Sequence, residues 1–412
     1  MNLLLQNRHW NPDFRYGFEK KRNQYHILLK YLKDKQIIAL TGLRRVGKTT
    51  LLKQLIDFLA AEKVDSRKIL FFSFDENGSS LDELLKKYSS ESGVDIAKDK
   101  VYLFLDEIQK LQDWQEKIKI YYDSYPNIKF FVSGSQSLFV KKKSRESLAG
   151  RIFIIEIPLL SFKEYLLFSD KENILENPIM FKEDIKKEIL AYLRRGYIEM
   201  IGADDEKIKF FLESLINKIV YEDIPLIFPV ESPEKLKSLL QSIYSNPGAI
   251  MRYESIAGDL GISSKTAEKY STYLIEANLA KKVYNYSRNF LTSEKKLKRL
   301  YTTASCLCFL NDNYDITRVA ENQIANEFSF FWRDSFGHEV DFIKKEGDAI
   351  IPIEVKYSNN FKKEWIKPMI IFMEKNNAKE GIIITEDYEE TINVGDKKIS
   401  LIPFWKRAIL SE

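Results

Sequence analysis

Eight residues, Gly42-Leu43-Arg44-Arg45-Val46-Gly47-Lys48-Thr49, complete the pattern G-x4-G-K-[ST] and constrain this chain more than any other stretch. With Gly at about 7% and ordinary Lys and Ser/Thr usage, such a match arises by accident in roughly one chain in a hundred of this length. The surroundings narrow it further. An apolar run at 37–40 precedes the loop, and Leu51, Leu52, Leu55, Ile56 and Leu59 follow it at helical spacing. A strand, a glycine loop and a helix in that order aim main-chain N–H groups and a helix N-terminus at an anion. Lys48 adds a point charge suited to β- and γ-phosphates, and the Thr49 hydroxyl is placed to ligate Mg²⁺. The expected nucleotide-binding residues here are Gly42, Arg45, Val46, Gly47, Lys48, Thr49 and Thr50, with ATP and Mg²⁺ as cofactors. Arg44 and Arg45 leave their own roles open between phosphate, a partner, and acids that dock the loop.

A second signal is Val101-Tyr-Leu-Phe-Leu-Asp106-Glu107, an apolar run ending in two acids. Asp106 at that strand end suits the Mg²⁺ sphere, directly or through water, and Glu107 suits a general base that polarises water. Alone, the same run marks an ordinary capped helix start; joined to the loop, it reads as the acidic half of a nucleotide site. The expected catalytic residues are Lys48, Glu107 and Arg151, and the metal ligands Thr49 and Asp106. Ser133 ends the next run, where a small polar side chain either senses a γ-phosphate or forms a plain Ser/Gly turn. Arg151, after Leu148-Ala-Gly150, reads either as an arginine acting on a neighbour's nucleotide in a homo-oligomer or as a surface salt bridge.

Composition bounds the rest. With 412 residues, 44% hydrophobic and 30% charged, the chain has room for two or three domains with cores of their own. The 64 basic and 60 acidic residues leave +4, so any nucleic-acid surface has to be local. Two cysteines, Cys306 and Cys308, and three histidines, His9, His26 and His338, exclude a disulfide framework and a His- or Cys-built metal centre. No run approaches the ~20 apolar residues that span a bilayer, and the first ten residues carry no signal-peptide core. A soluble, cytoplasmic protein is expected.

Short apolar runs at 37–40, 69–74, 101–105, 128–132 and 152–157, separated by helical spacing, predict an α/β unit over 1–160 with a parallel sheet covered on both faces. Residues 161–230 read as a helical lid or linker, 231–300 as a second helical block, and 301–412 as an α+β domain with a helix near 318–329 and four strands.

Within the third block, 253–274 fits two short helices around a turn. Ile256, Leu260, Ile262, Ala267, Tyr270 and Leu274 form the shared core, and Ser263 or Ser264 caps the second helix. Lys265, Lys269 and Thr272 fall on its outer face. The stretch 281–299 follows as a wing, with seven basic residues and one acid around Tyr284, Tyr286 and Phe290. DNA is one partner for such a surface and protein docking the other.

In the last block, Asp341 on one strand and Glu354-Val-Lys356 on the next match the layout of a PD-(D/E)xK nuclease core. Asp341 and Glu354 would hold Mg²⁺, Lys356 would orient water or steady phosphate charge, and Glu321 on the preceding helix would be a further carboxylate. A solvated strand face with cross-strand ion pairs has the same spacing.

In order, Gly42 to Thr50, Leu105-Asp-Glu-Ile-Gln109, Ser133-Gly-Ser135, Leu148-Ala-Gly-Arg151, Pro158-Leu-Leu-Ser-Phe162, Glu222-Asp-Ile224, Glu321-Asn322, Glu339-Val-Asp-Phe342 and Ile353-Glu-Val-Lys356 cover nearly the full length. The set resembles the prokaryotic AAA+-like P-loop ATPases that carry a C-terminal domain of unknown function with a restriction-endonuclease-like fold. The resemblance implies a P-loop NTPase of the additional-strand, catalytic-glutamate type, then a helical lid, a winged helix-turn-helix and the nuclease-like α+β domain. Two segments depart from it. Arg195-Gly196-Tyr197-Ile198 stands where Gly-Gly-x-Pro is frequent, and Thr302 to Cys306 replaces an Asp-bearing segment near Tyr301.

Overall fold

The computed structural model describes residues 2–75, 80–135 and 148–410, without the side chains of 290, 294 and 295. The described chain divides into two units, Met1–Leu159 and Leu160–Glu412.

Unit 1 opens with α1 (Leu3–Gln6) and α2 (Asn23–Lys30) and then alternates strand and helix: β1 (Ile37–Thr41), α3 (Lys48–Ala61), β2 (Ile69–Ser73), α4 (Leu81–Ser92), β3 (Val101–Asp106), α5 (Trp114–Ser124), β4 (Ile128–Ser133) and β5 (Ile152–Glu156). The sheet order is β2-β3-β4-β1-β5 and every pairing is parallel. β1, β3 and β4 are buried along their whole length, as continuous Ile, Leu, Val and Phe runs require when helices cover both faces. β4 lies between β1 and β3, so the loop after β1 and the acids after β3 open on the same sheet edge, on either side of Ser133. This is a P-loop NTPase α/β fold.

Unit 2 begins with α6 (Phe162–Phe168), α7 (Lys182–Arg194) and α8 (Asp205–Lys218). Ser161 and Glu164 form a capping box that starts α6. Next come α9 (Pro233–Ser245), α10 (Tyr253–Leu260), α11 (Ser264–Glu276), β6 (Ala280–Asn285), α12 (Phe290–Lys295) and β7 (Lys298–Thr302). The chain closes with α13 (Ile316–Ala325), β8 (Phe330–Arg333), β9 (Glu339–Glu346), β10 (Ala349–Lys356), α14 (Ile366–Asn376), β11 (Glu380–Thr385), β12 (Glu390–Val394), β13 (Lys397–Pro403) and α15 (Phe404–Leu410).

One eight-stranded sheet, β12-β13-β11-β10-β9-β8-β6-β7, runs through this unit. The expected boundary at 300 therefore falls inside a strand. β6 and β7 pair as an antiparallel hairpin, and β6 continues into β8 in parallel, Tyr284 opposite Phe330. Helices α6 and α7 join the same core: Tyr165, Leu166, Ile185, Ile189 and Leu193 pack in one cluster with Tyr301, Phe331, Phe342 and Val355. Cys306 and Cys308 are free, buried and on a 3₁₀ turn. Among the described residues no helix is long and apolar enough to cross a membrane.

Candidate functional site

The phosphate loop is built by backbone that few side chains tolerate. Gly42 has φ +143°, and a Cβ there would lie 2.3 Å from the Ile157 carbonyl oxygen. Gly47, with φ +95°, is the left-handed residue from which α3 starts at Lys48. Arg45 also has positive φ and is exposed, Arg44 and Thr50 are half-buried, and Val46 is buried. Lys48 is buried and its Nζ donates to the carbonyls of Gly42 (3.0 Å) and Leu43 (2.8 Å), folding the ammonium over the loop.

Across the edge, the Thr49 hydroxyl donates to Asp106 Oδ2 at 2.7 Å and the Ser133 hydroxyl donates to Asp106 Oδ1. Three sequence-distant residues thus meet at one carboxylate. A hydroxyl and a carboxylate are hard oxygen donors, and their contact fits a Mg²⁺ held by Thr49 and Asp106. Glu107 sits at φ +51°, in the left-handed region that few non-glycine residues adopt; the Gln109 side-chain amide donates to its carboxylate. Burial raises the Glu107 pKa above the usual range, opposed by the charges of Lys48 and Arg44.

In unit 2 the four expected residues converge. Asp341 on β9 accepts from the Val355 N–H (2.9 Å), and Glu354 on β10 accepts from the Asp341 N–H (3.2 Å). Lys356 Nζ is 2.6 Å from Glu354 and 3.8 Å from Asp341. Glu321 on α13 accepts from the Tyr301 hydroxyl at 2.6 Å. Asp341 and Glu354 are buried, so this is not the solvated face that the spacing also allows. The residue that sequence reasoning misplaces is Arg299. By position it belongs with the basic wing, yet its side chain is buried, 3.4 Å from Glu321, 3.7 Å from Asp341 and bonded to Glu339. From β7, which packs against α13 and lies in the same sheet as β9, the guanidinium is the partner those acids need. Burial pushes the pKa values of Glu321 and Glu354 upward and the Asp341 charge adds to both shifts. Among the described residues no three acids, histidines or cysteines are arranged to hold a metal. The cluster does not fit the divalent ion expected there, because a guanidinium lies among its oxygens.

The helix pair α10 and α11 is held by Ala267, Tyr270 and Leu274, all buried, with Ile256, Leu260 and Ile262 half-buried beside them. Ser263 caps α11 by accepting from the Thr266 N–H at 3.1 Å, and Gly261 ends α10 at φ +63°. Lys265, Lys269 and Thr272 are exposed. The hairpin that follows is less open than expected: Lys281 donates to the Asn326 carbonyl at 2.6 Å, and Tyr286 is buried. The side chains of Phe290 and Lys295 lie outside the described residues.

The family described as AAA domain matches residues 34–166. The glycine loop and the parallel sheet of unit 1 fall within those residues. A domain of unknown function (DUF8612) matches 187–311 and another (DUF4143) matches 311–406. An uncharacterized protein of Methanocaldococcus jannaschii is 28% identical, over 92% of this chain and 88% of its own. A second from the same organism is 29% identical, over 92% and 89%. One from Haemophilus influenzae is 24% identical, over 90% and 94%. Among solved structures, the Aeropyrum pernix Orc1 protein in complex with DNA is 13% identical at TM-score 0.32, covering 78% of this chain and 97% of that one. Cdc6p from Pyrobaculum aerophilum is 14% identical at TM-score 0.29, covering 78% and 98%.

Within unit 1, Arg151 forms a two-pronged bridge to Asp123 at 2.9 and 3.1 Å. Near the start of the same unit lies buried Arg22, which sequence reasoning misses. Its guanidinium donates to Val46 O (2.9 Å), Pro158 O (3.0 Å) and Leu159 O (3.0 Å), clamping the phosphate loop to the chain that leaves β5. An isolated arginine before the first helix carries no pattern that announces such a role.

Proposed function

We propose that the chain is a Mg²⁺-dependent ATPase whose turnover acts on DNA. The observation that carries this reading is the assembly of Lys48, Thr49, Asp106, Ser133 and Glu107 around one edge of a parallel sheet. Loop amides and Lys48 bind and orient the β- and γ-phosphates, exchanging the loop carbonyls that Lys48 now bonds for phosphate oxygens. Mg²⁺ at Thr49 and Asp106 would neutralise phosphate charge as it develops. Glu107, aimed by Gln109, takes the proton of the attacking water. Ser133 registers the nucleotide through its bond to Asp106. Arg151, released from Asp123, is the residue we assign to a neighbour's nucleotide in a homo-oligomer. ATP turnover by the purified full chain is the test. Lys48→Ala is expected to abolish binding, and Glu107→Gln to bind ATP without hydrolysing it; unchanged turnover in Glu107→Gln refutes the assignment.

For DNA, the reading rests on Lys265 and Lys269 exposed on the second helix of a helix-turn-helix, followed by a strand hairpin in the manner of a winged helix. A second reading is favoured by Arg299: a nucleotide-dependent switch whose C-terminal unit binds a partner without cutting it. The order α13-β8-β9-β10-α14-β11 with Asp341, Glu354 and Lys356 supports a nuclease-like fold, but the buried guanidinium stands against nuclease chemistry. Plasmid incubated with Mg²⁺ or Mn²⁺ separates the two, since cleavage lost in Asp341→Ala would restore the nuclease.

A further inference from the structure

We propose that Arg299 is the resident cation of the Glu321–Asp341–Glu354 cluster, so that these acids take a divalent metal only when that guanidinium is removed. The inference concerns unit 2 alone and does not rest on ATP hydrolysis. The guanidinium is fixed on several sides. Nη1 donates to the Tyr301 hydroxyl at 3.2 Å, which in turn donates to Glu321, and Nη2 donates to Glu339. The Phe331 ring centroid lies 4.9 Å from its Cζ. Arg299 Nε is buried with no hydrogen-bond partner, so all of the donation runs through the two terminal nitrogens that face the acids.

Other donors share the same acids: Asp341 Oδ2 accepts from the Val355 N–H, Glu354 Oε2 from the Asp341 N–H, and Lys356 Nζ lies 2.6 Å from Glu354 Oε1. Nη1 stands 3.4 and 3.7 Å from the Glu321 and Asp341 oxygens. A metal at that place would need them about 1 Å closer, near the 2.0–2.6 Å typical of hard divalent cations. Charge points the same way. Ion pairs join the carboxylates of Glu321, Glu339, Asp341 and Glu354 to Arg299, Arg333 and Lys356, with the Arg318 charge also acting on Glu321. Removing Arg299 takes away the cation shared by Glu321, Glu339 and Asp341, and leaving buried acids without it is costly.

The probe is Mn²⁺ alone, titrated into the full chain without nucleotide and followed by the loss of its free-ion spin-resonance signal. The parent and Arg299→Lys are expected to show no site that depends on Asp341. Arg299→Ala is expected to gain one Mn²⁺ per chain, bound about tenfold or more tightly than any site in the parent, and to lose it again in Arg299→Ala/Asp341→Asn. Circular dichroism confirms that each variant is folded, and Arg299→Gln repeats the test if the alanine variant is not. An Asp341-dependent Mn²⁺ site already present in the parent overturns the proposal, as does a folded Arg299→Ala or Arg299→Gln that gains none. The parent titration decides against it without any variant at Arg299.

Discussion

The Thr49 hydroxyl donates to Asp106 Oδ2 across 2.7 Å, joining the first turn of α3 to the last residue of β3. The two residues are far apart in sequence, and in the proposed ATPase they share one task, holding oxygen donors for a triphosphate-bound cation. If that task is Mg²⁺ binding, Thr49→Val and Asp106→Asn should each lower Mg²⁺-dependent hydrolysis by about 100-fold or more. ATP affinity measured in EDTA should change only a few-fold, because the loop amides and Lys48 remain. Equal losses with and without metal would place both residues in folding rather than metal binding.

Glu107 and Gln109 give a pH signature. Burial raises the Glu107 pKa, and the base must be ionised to act, so turnover should rise with pH through that raised value and level off above it. The Gln109 amide stabilises the ionised form. Gln109→Ala should therefore move the rising limb to higher pH and lower kcat about tenfold, with the ATP Kd little changed. A pH–rate profile compared with an ATP-analogue titration separates this from a binding defect.

What the sequence makes legible is local. The phosphate loop, the acids ending β3 and the Ser263 cap each occupy a few consecutive positions, with strand and helix periods on either side. The partners of Arg299, Arg22 and Lys281 lie far along the chain, and a basic residue reads as surface until its strand is placed in a sheet. The same reason hides the continuity of the hairpin with the C-terminal sheet, which depends on a parallel pairing between β6 and β8. β12 is silent in the sequence because it is a short exposed edge strand, Glu390–Val394, whose two apolar residues, Ile392 and Val394, are too few to mark a period.

Gly42→Ala tests the close approach at the loop. The added methyl would meet main-chain oxygen, which has no flexible end to swing aside, and φ +143° disfavours any L side chain. We expect a stability loss of more than about 2 kcal/mol in urea denaturation and loss of ATP-analogue binding. A variant of parental stability that still binds would show that the Ile157 carbonyl can withdraw.

Lys265 and Lys269 are open to solvent on one helix face. If both neutralise DNA phosphates, the double substitution to Ala should reduce the slope of log K against log salt by about 1.8, since each phosphate neutralised by a lysine contributes about 0.9. Fluorescence anisotropy with duplex DNA from 50 to about 200 mM salt reads it. A weaker affinity with the slope unchanged would mean the helix reads something other than backbone charge.

His9 should set the acid limit of unit 1. Its ring is buried, with Nε2 3.1 Å from Ile69 O and Nδ1 3.1 Å from the Tyr16 hydroxyl, a pair of contacts that suits the neutral imidazole. Burial lowers its pKa from 6.5 to about 4. Between those values the unfolded chain binds a proton that the folded chain refuses, so stability falls as pH drops through this window and is level above it. The loss by pH 4 amounts to about 3 kcal/mol. His9→Gln keeps a donor for Ile69 O and does not titrate. Relative to it, the parent should lose that much between pH 7 and 4 in urea denaturation of the full chain. Parallel pH curves for the two proteins would mean that His9 is protonated in the folded state and that another group drives the acid transition.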